Sequence, residues 1–363
     1  MPSSPLPLFT EEHDTGQGAP APAVVHAEIR DTDLLARLAA ADVFSRGFTE
    51  RSCIAEQARR DALAAMSPAQ RRRAIAQHEL SSQEELSRDN VGHIHSVLAI
   101  CSLPYVRQPD SVREWNREQG KMRLSISAGK LLTPDGEWEQ QPIPYGAKAR
   151  LLMIHLCSEA VLNGSPNIDV NSSMTAFVRS LGFNPTGGKN GTLTAFRQQM
   201  KALAACHMTI GTYNGDASKT INASPFSSME LWKPRGKNGQ TEVVTLDDKF
   251  YRTLTKHALP VNMRAVRIFA NSPRKLDIMC WIGHRIHCLD DSFTLGWEHL
   301  FQQFGEGYNR FGNFKRDFPE ELKEIKEVFP KLPIKITEKG AVISPAGPDV
   351  LYLPKPKPKK VKT

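Results

Sequence analysis

The chain has 363 residues, 40% hydrophobic and 24% charged, enough for two or three domains with real cores and unlike a collagen, a mucin-like stalk or a low-complexity coil. No apolar run approaches the roughly 18 residues of a membrane-spanning helix, because the best stretch, Leu151-Leu152-Met153-Ile154, is broken at His155. The net charge of +8 is unevenly laid: residues 1–100 hold 10 Arg, no Lys and 14 acids, a net −4, whereas the rest holds 37 bases and 25 acids, a net +12. A basic body behind an acidic arm points to a polyanionic partner for the body alone.

Met1 to Asp14 lacks a basic n-region and an apolar h-region, so a cytoplasmic location without membrane partners is expected. Cys53, Cys101, Cys157, Cys206, Cys280 and Cys288 form no C-x-x-C pair and are too sparse for a disulfide framework, as for free thiols in a reducing compartment.

Residues 1–30 are rich in Pro, Ala and Ser and read as a disordered leader. A helical arm and junction follow over 31–120, carried by Leu34, Leu35 and Leu38 at helical spacing and by Pro68 near a helix start. Met122, Leu124 and Ile126 alternate with polar residues, which predicts a strand ended by Gly129. Ala147 to Leu162 predicts a buried helix stopped at Asn163-Gly164. Then come a short helix, Ser173 to Leu181, a glycine-containing loop over 184–191, and a helix from Thr192 to Ala205. On that last helix Leu193, Phe196, Met200, Leu203 and Ala204 share one side, leaving Thr194, Gln198 and Lys201 outward with Arg197 at the flank. Met208 to Tyr213 runs into Asn214-Gly215, suited to a type I′ hairpin, and Asn238-Gly239 marks another turn before Glu242 to Leu246.

The same order recurs. Pro273 opens a helix to Leu289, Leu295 to Phe304 forms a second, and Phe311, Phe314, Phe318, Leu322, Ile325 and Phe329 stripe a third, which Pro319 should kink or restart. Ile334-Lys335-Ile336 and Ala341-Val342-Ile343 flank Glu338-Lys339-Gly340 as a hairpin. Helix, helix, helix, hairpin is the order of a winged-helix module. The expected fold is therefore α+β: tandem winged-helix domains over 121–256 and 257–346, a helical N-terminal arm, disordered termini, and a basic Lys/Pro tail over 347–363.

The run Ile143-Pro144-Tyr145-Gly146-Ala147-Lys148-Ala149-Arg150-Leu151-Leu152, then Ser173 to Phe177, Leu181-Gly182 and Gly187-Gly188-Lys189, resembles plasmid-encoded RepA-type replication initiators. Cys101-Ser102-Leu103-Pro104-Tyr105 upstream and Asn313-Phe314-Lys315-Arg316-Asp317-Phe318 downstream fit the same family, so the likeness runs over roughly 95–350. The resemblance implies a non-enzymatic, sequence-specific protein that binds repeated double-stranded sites at a plasmid origin and controls copy number. It also implies recruitment of a host replication initiator and helicase, and a homodimer as one form of the protein.

Winged helices lay their third helix in the major groove and touch the backbone with the wing. That nominates Thr194, Gln198 and Lys201 for base contacts, with Lys189 and Arg197 for phosphates. In the second copy Arg310, Asn313, Lys315 and Arg316 are the helix candidates, and Lys335 and Lys339 the wing candidates. Glu320, Glu321 and Glu324 crowd the later half of that helix, so only its beginning is expected to approach DNA.

Other signals are weaker. The loop at Gly182 to Asn190 has an extra Gly and no Ser or Thr after Lys189, so no nucleotide is expected; its backbone N–H groups are candidates for a DNA phosphate instead. Cys280, His284, His287 and Cys288 share a helix side, but Cys280 and Cys288 would lie about 12 Å apart along the axis, too far for one zinc. No metal or other cofactor is expected. The enzymatic alternative is a rolling-circle initiator that nicks DNA with Tyr145, in Tyr145-x-x-Lys148, beside a metal on His93 and His95, which alternate onto one strand face. A winged-helix transcriptional repressor is the other alternative, separated by whether a plasmid lacking the gene replicates.

Overall fold

The computed structural model describes residues 28–42, 45–67, 70, 71, 74, 90–222, 224–229, 243–286 and 288–353. The leader before residue 28, the Pro68 helix start, the Asn238-Gly239 turn, His287 and the tail beyond 353 lie outside them. The chain divides into two compact units, Met1–Ser67 and Pro68–Thr363.

In the first unit α1 (Thr32–Ala39) and α2 (Arg46–Ala65) supply the expected helices, closed on a small core of Ile29, Leu34, Leu38 and Cys53. The Gln57 carboxamide oxygen accepts from the backbone N–H groups of Arg30 and Asp31, both at 3.0 Å, and Arg60 binds Asp31 and Asp33 at 2.7 and 2.9 Å. The acidic start of α1 is thus neutralised within the arm.

The second unit begins with β1 (Val91–His95) and α3 (Ser96–Cys101), followed by β2 (Glu114–Gln119), β3 (Met122–Ser127) and the small hairpin β4 (Lys130–Leu132) and β5 (Trp138–Gln140). Then come α4 (Gly146–Asn163), β6 (Asn167–Asp169), α5 (Val170–Ser180) and α6 (Thr192–Ala205). The strands β7 (His207–Tyr213), β8 (Ser218–Asn222), β9 (Phe226–Met229) and β10 (Val243–Leu246) lead to α7 (Asp248–His257), β11 (Ala258–Asn262) and α8 (Met263–Ile268). The chain continues as α9 (Pro273–Ile286), β12 (Phe293–Gly296), α10 (Trp297–Phe304), α11 (Phe311–Val328), β13 (Ile334–Thr337) and β14 (Gly340–Ile343).

One connectivity occurs twice: helix, short strand, helix, helix, two strands. In the first copy these are α4, β6, α5, α6, β9 and β10, with sheet order β6-β10-β9; in the second they are α9, β12, α10, α11, β13 and β14, with sheet order β12-β14-β13. The strand after the first helix pairs antiparallel with the last strand of the hairpin in both, so each sheet ties the start of its copy to its end. The pairing hidden from sequence is that of β7 and β8. They do not close the first copy but join β2 and β3 in a four-stranded sheet of order β2-β3-β7-β8.

Three local expectations are corrected. The Asn214-Gly215 turn is not type I′, which needs positive φ at both residues: only Gly215 has it, at +102°, while the Asn214 side chain accepts from the N–H groups of Asp216 and Ala217 in a longer loop. Of the two outcomes expected at Pro319, a kink or a restart, the restart does not occur: α11 runs through it as one 18-residue helix, because burial of Phe314, Phe318, Leu322 and Ile325 outweighs one missing backbone bond. The helix from Pro273 is described to Ile286 rather than to Leu289, and β12 begins at Phe293. Gly340, at φ +143°, opens β14 against β12, where any Cβ would meet the Leu295 carbonyl oxygen.

One continuous core spans both copies, and α4 is buried along Ala149–Ser158, apolar nearly all round as a central helix must be. Inside that core Arg150 of α4 meets Asp277 of α9 in a two-pronged pair, both bonds 2.7 Å, with the residues 3% and 5% exposed. Its remaining N–H groups go to the carbonyls of Leu103, Pro104 and Gly146. Replacing Asp277 with Ala strands a buried guanidinium, so Asp277→Ala should lose about 3–5 kcal/mol in urea unfolding. Arg150→Met combined with Asp277→Leu should recover most of it.

Candidate nucleic-acid interface

The third helix of each copy, α6 and α11, presents the side predicted to face outward, and the cations on it divide into free and engaged. On α6 Arg197 and Gln198 are exposed, as is Lys189 in the preceding loop. Phe196, Met200 and Leu203 are buried as the periodicity requires. Thr194 is not free: its hydroxyl donates to the Gly188 carbonyl at 2.6 Å. Lys201 is half-buried and bound to Glu139 of β5 at 3.2 Å. That hairpin also exposes Trp138, 67% accessible, beside α6.

The loop before α6 uses its own polar groups. Thr186 accepts from the N–H of Thr192 through its hydroxyl and from Leu193 through its carbonyl, both at 3.1 Å. Those two amides, at the start of α6, are therefore not available to a DNA phosphate. Gly191 is required because a Cβ there would overlap the carbonyl oxygens of Thr186 and Gly187.

In the second copy Arg310, Asn313, Lys315 and Arg316 are all exposed on the first turns of α11. Lys315 lies over the Trp297 ring, 5.5 Å from its centre, and Arg316 pairs with its neighbour Asp317 at 2.7 Å, which holds that exposed carboxyl below its ordinary value. Lys335 and Lys339 are exposed on the β13–β14 hairpin. Phe311 departs from the predicted buried stripe; it is 40% exposed and packs edge-on against Phe301. The acidic half of α11 is less repulsive than its sequence implies, because Glu321 is bound by Arg274 at 2.9 Å and Glu324 by Lys275 at 2.7 Å, both on α9.

The nicking alternative does not assemble. Strand β1 has the partner that sequence did not reveal, β11, with His93 opposite Pro260 and His95 opposite Ala258. Both ring nitrogens of His95 are engaged: Nδ1 accepts from the Val97 N–H at 3.2 Å and caps α3, and Nε2 meets the Thr253 hydroxyl at 3.2 Å. The His93 N–H donates to Ser158 at 2.7 Å, thirteen residues along α4 from Tyr145 at its N-cap. That separation is about 20 Å along the axis. Among the described residues no group of three His, Cys, Asp or Glu side chains could hold a metal ion. Cys280 is buried, and burial pushes its thiol well up.

Residues that sequence reasoning passed over form the junction between the copies. The buried Tyr105 ring lies among three guanidinium groups, 4.9 Å from Arg150, 5.1 Å from Arg274 and 5.7 Å from Arg117. Arg117 reaches the Gln303 carbonyl at 2.5 Å and Glu306 at 2.6 Å, and Glu306 also accepts from the Tyr105 N–H at 3.1 Å. Arg274 donates to the carbonyls of Phe304 and Glu306 at 2.7 and 2.9 Å. Buried Gln199 of α6 accepts from the Tyr145 N–H at 2.9 Å. The available signal was Arg150 beside an apolar run and Asp277 inside another, since lone charges in apolar helices pair.

Residues 143–299 match the family model described as plasmid encoded RepA protein. The chain carries a RepA-family segment. The likeness expected from Ile143 to Leu152 and from Ser173 to Lys189 falls inside it, whereas Cys101–Tyr105 and Asn313–Phe318 lie outside its bounds. Among solved structures, the crystal structure of domains 2 and 3 of RctB is similar with a TM-score of 0.40 and 11% identity, covering 68% of this chain and 95% of that one. No curated protein matches. No helix among the described residues of this RepA-like chain is long and apolar enough to cross a membrane.

Two histidines give the second unit a pH dependence. Burial lowers His95 and His155 from 6.5 to about 4, so each is neutral when folded and takes up a proton more readily when unfolded. Stability should be flat above pH 7 and fall as pH drops from 6.5 towards 4, by up to about 3 kcal/mol for each group. Urea midpoints across that window test this, and His155→Phe, which removes one of the titrating rings, should make the fall shallower, with His93, also lowered by burial, and His95 still contributing.

Proposed function

We propose that the second unit is the DNA-binding body of a plasmid replication initiator, with two winged-helix readers held in one frame. The observation that supports this most is the doubled connectivity: α6 and α11 occupy the same place in each copy, and each presents exposed Arg, Asn or Gln side chains. A body of net +12 and the RepA-family segment agree with it. In this reading Arg197, Arg310, Lys189, Lys335 and Lys339 neutralise phosphates, while Gln198 and Asn313 address base edges. Several copies bound at repeated origin sites would melt the duplex and recruit the host initiator and helicase without chemistry of their own.

Two readers in one frame give the second an effective concentration set by the frame, so the pair discriminates better than either alone. The Lys201–Glu139 pair stands in the way of one contact, because DNA must displace the carboxylate before it meets that lysine.

The test is a footprint of the purified protein on DNA flanking its gene, with Mg²⁺, without nucleotide, and resolved under denaturing conditions so that cuts also show. Evenly spaced protected repeats are expected; a single nick with protein left on a 5′ phosphate would overturn the reading. Arg197→Ala and Arg310→Ala should each lower the slope of log affinity against log salt by about 0.9. Glu139→Gln, which frees Lys201, should raise affinity up to about fivefold, the factor that about 1 kcal/mol of an exposed pair represents.

A further inference from the structure

The β4–β5 ribbon leaves two large apolar side chains in water. Leu132 and Trp138 stand directly opposite each other and so share one face, where they are 53% and 67% exposed. The other face, with Glu139, is the one that meets Lys201 of α6. All three residues of β5 are exposed, so the Trp138–Leu132 pair does not serve the core of its own chain, and an apolar knob of this kind marks a contact surface. The strands and their turn carry Lys130 against Asp135, Glu137 and Glu139, an acidic spot on a body of net +12.

A hollow of matching character lies on the four-stranded sheet. Leu124, Ile126, Met208 and Ile210 turn into the core, which puts Arg123 and Gly211 on the outer face. Gly211 stands between Arg123 of β3 and Thr220 of β8, so that row lacks a side chain in its middle. A groove of about 380 Å³ opens there, edged also by Ser125, Thr209 and Tyr213. Tyr213 is 43% exposed, and the Arg123 guanidinium lies 4.8 Å from the centre of its ring. Lys219 lines the groove too, and Glu118 pairs with Arg123 at 3.1 Å, so two cations there face one acid. Gly211 has no positive φ to require it, and a Cβ there would come no nearer than 3.4 Å to Arg123. A strand glycine without a local reason marks a place where another group approaches closely.

We infer that Trp138 of one molecule seats in the Gly211 groove of a second molecule of the same chain when the two bind neighbouring repeats, so that bound molecules hold each other. The inference rests on the DNA reading above and deepens it by naming what a bound molecule touches beside the DNA. An indole laid over the glycine floor would stack beside Tyr213 and the Arg123 guanidinium, while the acids of the ribbon meet Arg123 and Lys219. Knob and groove are different surfaces, so the contact is head-to-tail and leaves a knob free at one end and a groove at the other, as a row of repeats needs. The same acids would repel phosphates, which sets the ribbon apart from the DNA-facing helices.

The experiment uses the full chain on duplexes carrying one or two of the repeats protected in the footprint. The wild type should fill the second repeat about tenfold more tightly than the first. Trp138→Ala, and Gly211→Val, which fills the hollow with a residue suited to a strand, should each leave single-repeat affinity unchanged and make the two repeats independent. An equimolar mixture of the two variants should recover part of the coupling, because Trp138 of the Gly211→Val chain fits the intact groove of the Trp138→Ala chain. Thermal unfolding checks both folds, and Tyr213→Ala replaces Gly211→Val if that variant unfolds. Independent filling by the wild type overturns the contact and leaves the DNA reading standing, and a mixture without recovery overturns the pairing of Trp138 with Gly211. Equal loss on a single repeat in Trp138→Ala makes Trp138 a DNA contact, which also overturns it. Should the wild type bind no DNA, the DNA reading fails and sedimentation velocity decides: self-association that Trp138→Ala removes keeps the contact, and any other result overturns it.

Discussion

A guanidinium inside a protein cannot be left without acceptors, and Arg150 has all of its N–H groups matched only when three separate parts of the chain converge on it. Asp277 comes from the first helix of the second copy, the Leu103 and Pro104 carbonyls from the segment before the first copy, and the Gly146 carbonyl from the turn below. Gly146 is in the first turn of α4 itself, but Asp277 and the Leu103–Pro104 segment lie outside that helix, so the full network forms only in the assembled unit. The pair need not add net stability, since apolar residues of similar shape often do as well. What it imposes is a penalty on every arrangement in which α4 and α9 are out of register.

Tyr105 extends the same constraint outward. Its ring is the common face for Arg117, Arg150 and Arg274, and its N–H fixes Glu306, which in turn fixes Arg117. These cations are spent on structure. Those on the outer turns of α6 and α11 and on the β13–β14 hairpin remain exposed, as do others elsewhere on the unit. The sorting is driven by burial: an arginine among apolar helices finds acids and carbonyls, and one on a half-buried helix stays in water.

Periodicity revealed most of the helices and the repeated order, because α6 and α11 carry strong apolar stripes and their loops carry Gly or Pro. It failed where a decision belonged to the tertiary level. Nothing local says that β7 pairs with β3, with β8 beyond it, rather than closing the first copy, since alternation marks a strand and not its partner. Thr194 reads as an outward residue and is one, yet its hydroxyl is committed to Gly188, and Lys201 is committed to a carboxylate 62 residues upstream. Spacing assigns a direction to a side chain, whereas availability depends on what else reaches the same place. The histidines show the converse. His93-Ile94-His95 has the alternation of a metal strand, but a helix cap and a threonine occupy the His95 ring, and α4 puts Tyr145 about 20 Å away.

The shared frame also determines where sequence selectivity would arise. Two readers on a flexible tether adapt to different spacings between their half-sites, and the DNA between them is then unconstrained. Here the α4–α9 pair, the Tyr105 junction and a single core make the offset between α6 and α11 a property of the fold. A duplex whose grooves do not present at that offset must bend or twist to meet both helices, and the cost of doing so depends on base steps that no side chain touches. On the DNA reading, part of the selectivity therefore resides in Arg150 and Asp277, which lie in the core and contact no base.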